Sequence, residues 1–183
     1  GKKIESTKKD IKYRKDGGIK QSGGNKKADV SSTVYPIKDP EQFKNFINYF
    51  DNRIGTARTK NGVFIAVRNY LLVQIGLNSG YRISDIVRLK WNDLIDEQGN
   101  FLTNTNKSEK KTSKIRKVFI EQQIKDAVNK FLEVTNIDPV LDDYIFSTCR
   151  SEHMTENNAY AFIKKAAEEV GIKVKIATHT LRK

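Results

Sequence analysis

Apolar residues recur at helical spacing along most of the chain, and the pattern breaks once, between about residues 93 and 120. Phe43, Phe46, Ile47 and Phe50 fall on one face of a helix that opens at Asp39-Pro40-Glu41-Gln42. There Asp39 supplies an N-cap acceptor, Pro40 suits the first turn, and Gln42 sits three residues after the cap. A second helix, from about 62 to 79, carries the stripe Val63, Phe64, Val67, Tyr70, Leu71 and Ile75. Gly80 is placed to end it in the left-handed conformation. A short third helix, Ile83 to Leu89, turns Ile86 and Leu89 inward. Two more follow, one marked by Ile124, Ala127, Val128, Phe131 and Leu132. The other is marked by Ala159, Phe162, Ile163, Ala166, Ala167 and Val170, with Thr155 as its cap and Gly171 at its end. Tyr144-Ile145-Phe146, between them, reads as a short extended segment. Thr178 would cap a last helix, of which the chain holds about one turn before Lys183, as expected of a domain cut short.

The interruption is rich in Thr, Ile, Val and Phe, with a turn signal at Gln98-Gly99-Asn100. Alternation there predicts antiparallel strands at about 93–96, 101–108 and 114–120. The fold class is therefore α+β, mainly α-helical with a small antiparallel three-stranded sheet. Residues 1–34 follow neither period. They hold ten Lys/Arg against four Asp/Glu and few large apolar side chains. Too little apolar surface is available to offset the entropy of ordering, so this segment is expected to be a flexible basic arm or a linker. The folded domain is expected over 35–183.

Charge narrows the class of partner. The 183 residues carry a formal net charge of +12, which points to a polyanion: DNA, RNA or an anionic membrane. The longest apolar run, Val63 to Leu77, is broken by Arg68, Asn69 and Gln74 and is too short and polar to span a bilayer. No apolar signal-peptide core follows Gly1-Lys2-Lys3. The single cysteine, Cys149, excludes an intrachain disulfide and fits a reducing cytosol; a buried or half-buried position is expected for it. One Cys and two separated His give no metal-ligand set, and no P-loop, dinucleotide-binding glycine pattern or serine-hydrolase elbow is present.

Three basic sites remain. Arg82 follows the glycine that closes the long helix, where a guanidinium can be aimed into a cleft and grip a phosphate; taken alone it reads more readily as an exposed arginine or one paired to Asp85. Residues 107–117 hold six positive side chains and one negative, with Glu109-Lys110-Lys111-Thr112-Ser113-Lys114 between two predicted strands. Such a tip can reach a DNA backbone, although lysine also protects edge strands. His179 and Arg182 stand three apart, on one helical face, with Leu181 directed elsewhere. That pair suits one phosphate, the imidazole as base or hydrogen-bond partner and the guanidinium as clamp. His153 is expected in a loop.

In order and setting, these motifs resemble the catalytic domain of the tyrosine recombinases, the phage-integrase family. That family carries Gly-x-Arg-x-Ser-(Glu/Asp) after a long helix, matched by Gly80-Tyr81-Arg82-Ile83-Ser84-Asp85. It carries a lysine in a Lys-Thr-x-Lys-like turn, matched by Lys111-Thr112-Ser113-Lys114, and a His-x-Leu-Arg box, matched by His179-Thr180-Leu181-Arg182. Lys183 stands where the family often has His. The resemblance covers about Pro36 to Lys183. It implies metal-free and cofactor-free breakage and rejoining of double-stranded DNA through a 3′-phosphotyrosyl intermediate, by a parent protein that assembles as a tetramer on paired sites in the bacterial cytosol or nucleoid. It assigns catalysis to Arg82, Lys111, His179 and Arg182, with Lys110 and Lys114 close enough to compete for the lysine's role. It assigns DNA contacts to Lys107, Lys110, Lys114, Arg116 and Lys183. The family's nucleophilic tyrosine lies beyond the box, whereas the tyrosines at 13, 35, 49, 70, 81, 144 and 160 all precede it. Tyr70 and Tyr160 look like core aromatics. The chain alone is thus expected not to cleave DNA. The alternatives are a non-catalytic DNA-binding module that keeps the fold, and a basic RNA-binding protein.

Overall fold

The computed structural model describes residues 36–108, 115–173 and 180–181, with the backbone alone at 106–108 and 115–117. The predicted arm at 1–34 and the predicted cap at Thr178 lie outside the described residues. Helix α1 (Pro40–Thr56) starts where its cap dictates: the Glu41 and Gln42 N–H groups donate to Asp39 Oδ1 at 2.9 and 3.4 Å. Helix α2 (Lys60–Ser79) starts two residues earlier than the periodicity indicates, because Thr59 Oγ1 receives the Gly62 N–H at 3.0 Å. It ends at Gly80 with φ +61°. Helix α3 (Ile83–Ile86) is a single turn, shorter than predicted. Helix α4 (Gln122–Thr135) ends at Asn136, a residue that tolerates the left-handed conformation it takes there. Helix α5 (Glu156–Glu169) opens at Thr155, whose hydroxyl receives the Asn158 N–H, and Gly171 follows its end.

Of the three expected strands, two form among the described residues. Strands β1 (Asn104–Ser108) and β2 (Ile115–Phe119) pair antiparallel, Thr105 opposite Val118 and Lys107 opposite Arg116. The expected strand at 93–96 does not form. Residues Trp91–Asp93 coil into a 3-10 turn instead, with a single bridge from Ile95 to Phe101. Local hydrogen bonds decide this: the Lys90 N–H donates to Asp93 Oδ2 at 2.8 Å, and the Ile95 N–H reaches back to the Trp91 carbonyl. Those groups are then unavailable to a sheet ladder. Tyr144 likewise makes only an isolated bridge, to Lys90.

Helix α2 is the centre of the packing. The sequence stripe is one-sided, yet from Ala66 to Gly76 burial extends round most of the helix, taking in Leu72, Val73 and Gln74. Helices α1 and α4 flank it, while α5 meets α1 and α3. Aromatic rings join the layers edge to face: Phe50 with Phe162 at 6.0 Å links α1 to α5, and Phe64 with Phe131 at 5.9 Å links α2 to α4. Lys130 of α4 pairs with Asp51 of α1 and lies 5.1 Å from the Tyr70 ring centre.

Two single-residue expectations fail. Tyr160 is 39% exposed and not a core aromatic, because Ala159 and Ile163 take the inward face of α5. Cys149 is exposed, since it sits in the tight 148–151 turn that Thr148 Oγ1 closes by accepting the Arg150 and Ser151 N–H groups. Phe43 is also marginal, with Phe46 and Phe50 filling the core from α1. No helix among the described residues is long and apolar enough to cross a membrane.

Phe146 is wholly buried between these layers. Phe146→Ala is expected to cost about 3–5 kcal/mol, from lost transfer energy plus an unfilled cavity, measured as a lower urea midpoint with an unchanged slope.

Candidate phosphate-binding site

The predicted site residues divide into those the structure describes and those it does not. Arg82 is described. Lys110, Lys111, Lys114, His179, Arg182 and Lys183 lie outside the described residues. Lys107 and Arg116 are described as backbone only, and the register pairs them across the β1–β2 ladder on either side of the 109–114 segment. Of the His179–Arg182 box, Thr180 and Leu181 are described; they form part of a 3-10 turn and are both buried.

Arg82 is positioned by three successive local devices. Gly80 reverses the chain at φ +61°, a region that a β-carbon disfavours. Ser79 Oγ then receives the Tyr81 N–H at 3.2 Å, which fixes the next peptide. Arg82 itself is extended, at φ −72° and ψ 149°, and is the N-cap of α3; its carbonyl receives the Asp85 and Ile86 N–H groups at 2.9 and 3.0 Å. Tyr81 and Ile83 on either side are buried, so the turn is anchored in the core. Arg82 is half-buried, and its Nη1 is withdrawn from solvent, as are Tyr81 Oη and Asp85 Oδ2. The reading of Arg82 as a simple exposed arginine therefore does not hold. The backbone that carries the guanidinium is thus fixed by local hydrogen bonds and by buried neighbours.

The Thr180–Leu181 segment reaches the same end of α2. Leu181 is 2% exposed and seats on Gly76, with Ile86 of α3 against the same spot. The Arg82 turn and the Thr180–Leu181 segment thus lie near the C-terminal end of α2. Leu181 is directed into the core, as its place in the motif predicts. The sequence signal for this meeting is a glycine inside an apolar helical run, a position that helix propensity alone disfavours.

Other features lie apart from this end. A cavity of about 430 Å³ lies between α1, α2 and α5, lined in part by Tyr49, Arg53, Asn69, Phe162 and Lys165, towards the opposite end of α2. Arg68, which breaks the apolar run, lies over the Phe64 ring and donates from Nη1 to the Ser147 carbonyl at 3.2 Å. Burial lowers its pKa, yet arginine remains a cation. His153 is a loop residue as expected; its Nδ1 lies 2.9 Å from the Met154 carbonyl, and its ring meets Tyr144, over which Lys90 sits. Burial is the main cause raising the pKa of Tyr70, so its phenol holds its proton firmly. Among the described residues, no cluster of three or more His, Cys, Asp or Glu side chains is placed to hold a metal ion.

Comparison with known proteins bears on the family and the fold. The family model described as the phage integrase family matches residues 39–183. A probable integrase/recombinase of Bacillus subtilis (strain 168), YoeC, is 32% identical over 151 residues, covering 82% of this chain and 71% of that protein. Among solved structures, XerA recombinase aligns with a TM-score of 0.59 at 19% identity, over 85% of this chain and 49% of that one. XerH site-specific recombinase, bound to palindromic difH substrate in a post-cleavage complex, aligns with a TM-score of 0.62 at 21% identity, over 84% and 41%. The integrase of transposon Tn1549, in complex with circular intermediate DNA, aligns with a TM-score of 0.53 at 16% identity, over 85% and 52%. The chain spans about half the length, or less, of these solved proteins.

Gly80→Ala is expected to destabilise the chain by about 1–2 kcal/mol, the cost of a β-carbon in the left-handed region, read from urea unfolding followed by circular dichroism.

Proposed function

The chain belongs to the phage integrase family, and from that premise we propose that its parent protein is a site-specific DNA recombinase working through a covalent tyrosine intermediate. The observation that carries the reading is the meeting of the Arg82 turn and the Thr180–Leu181 segment at one end of α2, in a chain that matches the family from residue 39 onward. In this reading a tyrosine hydroxyl attacks a DNA phosphodiester. A tyrosyl–phosphate bond forms at the 3′ side, the bond to the 5′ oxygen breaks, and that oxygen leaves as a hydroxyl. A second strand's 5′-hydroxyl reverses the step, so the bond energy is conserved and no nucleotide is consumed.

Arg82 and Arg182 would hold the non-bridging oxygens as negative charge builds in the transition state, where fixed cations act most strongly. Lys111 would protonate the leaving 5′ oxygen, and His179 would accept the tyrosine proton or hold the phosphate. Lys107, Lys110, Lys114, Arg116 and Lys183 would neutralise DNA phosphates around the scissile one. Double-stranded DNA is the partner, in a tetramer on paired sites in the bacterial cytosol. Integration of a phage, movement of a transposon and resolution of plasmids are the settings in which such strand exchange is used.

The nucleophile is not among the seven tyrosines of this chain, which all precede His179. Tyr81 is buried beside the glycine turn, and Tyr70 is half-buried in α2 beside Lys130. The 183 residues alone are therefore expected to bind DNA without cutting it.

A nicked suicide duplex tests both statements by denaturing gel. The 183-residue chain should give no covalent DNA–protein adduct, and the full-length protein should give one. Arg82→Ala in the full-length protein should slow adduct formation by about 10²–10³-fold, the usual loss of one charge-stabilising group, with DNA affinity nearly unchanged. Normal cleavage by that variant would remove Arg82 from the catalytic set.

Salt dependence provides a separate check on the lysines. Log affinity for duplex DNA should fall linearly with log salt, and deleting one phosphate-neutralising cation should flatten the slope by about 0.9. Lys110→Ala and Lys114→Ala are expected to do so equally on any DNA sequence. A slope that is unchanged in both would exclude those two lysines from backbone contact.

A further inference from the structure

Gly76 lies in the most completely buried stretch of α2, one turn before Gly80. A glycine in a helix interior weakens the helix relative to alanine, so its presence there calls for a packing reason. The reason is visible in three distances. A methyl group on Gly76 would stand 2.9 Å from Leu181 Cδ1 and 3.1 Å from Leu181 Cβ, and 3.6 Å from Ile86 Cδ1. The first two are closer than ordinary carbon–carbon contact. The Leu181 side chain therefore rests on bare α2 backbone, in space that any β-carbon would fill.

Both residues that touch this spot are tied to the candidate arginines. The Ile86 N–H is bonded to the Arg82 carbonyl at 3.0 Å. Leu181 is the immediate chain neighbour of Arg182 and lies two residues from His179. Neighbouring Cα atoms are held about 3.8 Å apart by the trans peptide, so a displacement of Leu181 is passed to the residues on either side of it. Misplacing a reacting group by about 1 Å is enough to cost on the order of 10²-fold in rate.

We propose that Gly76 is a positioning residue: the missing side chain sets the depth at which Leu181 seats on α2, and so the separation between the Thr180–Leu181 segment and the Arg82 turn. This rests on the recombinase reading above. Gly76 touches no DNA and takes no part in the chemistry. Its function is to let two phosphate-binding segments, far apart in sequence, approach one end of a helix closely enough to share one phosphate.

The test is a double-mutant cycle in the full-length protein, read by single-turnover cleavage of a suicide duplex and by duplex affinity. Gly76→Ala should slow cleavage by about ten-fold or more, with affinity held within about two-fold. Gly55→Ala is the control, because among the described residues no atom beyond its chain neighbours and its own helical backbone lies within 4 Å of the methyl it would add, and it should cleave at the wild-type rate. Leu181→Ala removes the closer of the clashing atoms, so in that background Gly76→Ala should add less than about two-fold. Wild-type cleavage by Gly76→Ala, or an equal loss in both backgrounds, overturns the proposal. If Gly76→Ala does not fold, Leu181→Ala alone decides: it should slow cleavage with binding retained, and an unaffected rate counts against the proposal. If the wild-type full-length protein cleaves nothing, the recombinase reading fails instead. The positioning role is then judged on the 183-residue chain by amide NMR. Gly76→Ala should move the Thr180, Leu181 and Arg82 resonances, and shifts confined to α2 overturn it.

Discussion

From Ala66 to Gly76, α2 buries most of the side chains it carries, and the rest of the domain is arranged around that burial. Full burial of one large aliphatic side chain is worth about 1.5–3 kcal/mol, so several in succession outweigh any local preference nearby. The helix has no face to spare for solvent along this stretch. Consequently α1, α4, the α3 turn and the Thr180–Leu181 segment must all lie against it. A rod held on several sides is a rigid mount, and what projects from its end is fixed with it. Arg82 projects from that end.

For the proposed strand-exchange reaction this rigidity matters, because phosphoryl transfer asks a protein mainly for charge in fixed positions. A guanidinium on a mobile loop would have to be ordered at each turnover, at an entropic cost. Here the turn is ordered beforehand by Gly80, by the Ser79 hydroxyl and by two N–H groups that converge on the Arg82 carbonyl. Flanking side chains at Tyr81 and Ile83 hold it down. The cation is thus carried by backbone geometry as much as by its own side chain. The basic hairpin differs in kind: its described part is a short two-stranded ladder that joins the core through Thr105, Val118 and Ile120.

Local signals are readable wherever a few neighbouring residues settle the outcome. The caps at Asp39, Thr59 and Thr155, the reversal at Gly80 and the end at Gly171 follow from side chains and backbone within one turn of each other, although Thr59 moves the start of α2 earlier than periodicity implies. The first expected strand fails for the same local reason, taken in the other direction. Alternation at 93–96 favours a strand, but Asp93 captures the Lys90 N–H and closes a turn before a ladder can form. Tyr160 and Cys149 depart from expectation because residue type gives an average burial, whereas helix phase and the 148–151 turn give the actual one.

By itself the sequence determined the family and the order of the motifs, because each motif is short and its spacing is linear. Arg82 at a glycine turn, lysines between two strands and a His-x-Leu-Arg box are all legible without coordinates. Tertiary structure decided which of these come together and what makes it possible. The one-sided stripe of α2 gave no sign that the helix is enclosed on several sides, and nothing in residues 76 or 181 alone says that they touch. Their meeting is a property of packing: a missing methyl on one element and a buried leucine on another, brought together only when the core closes.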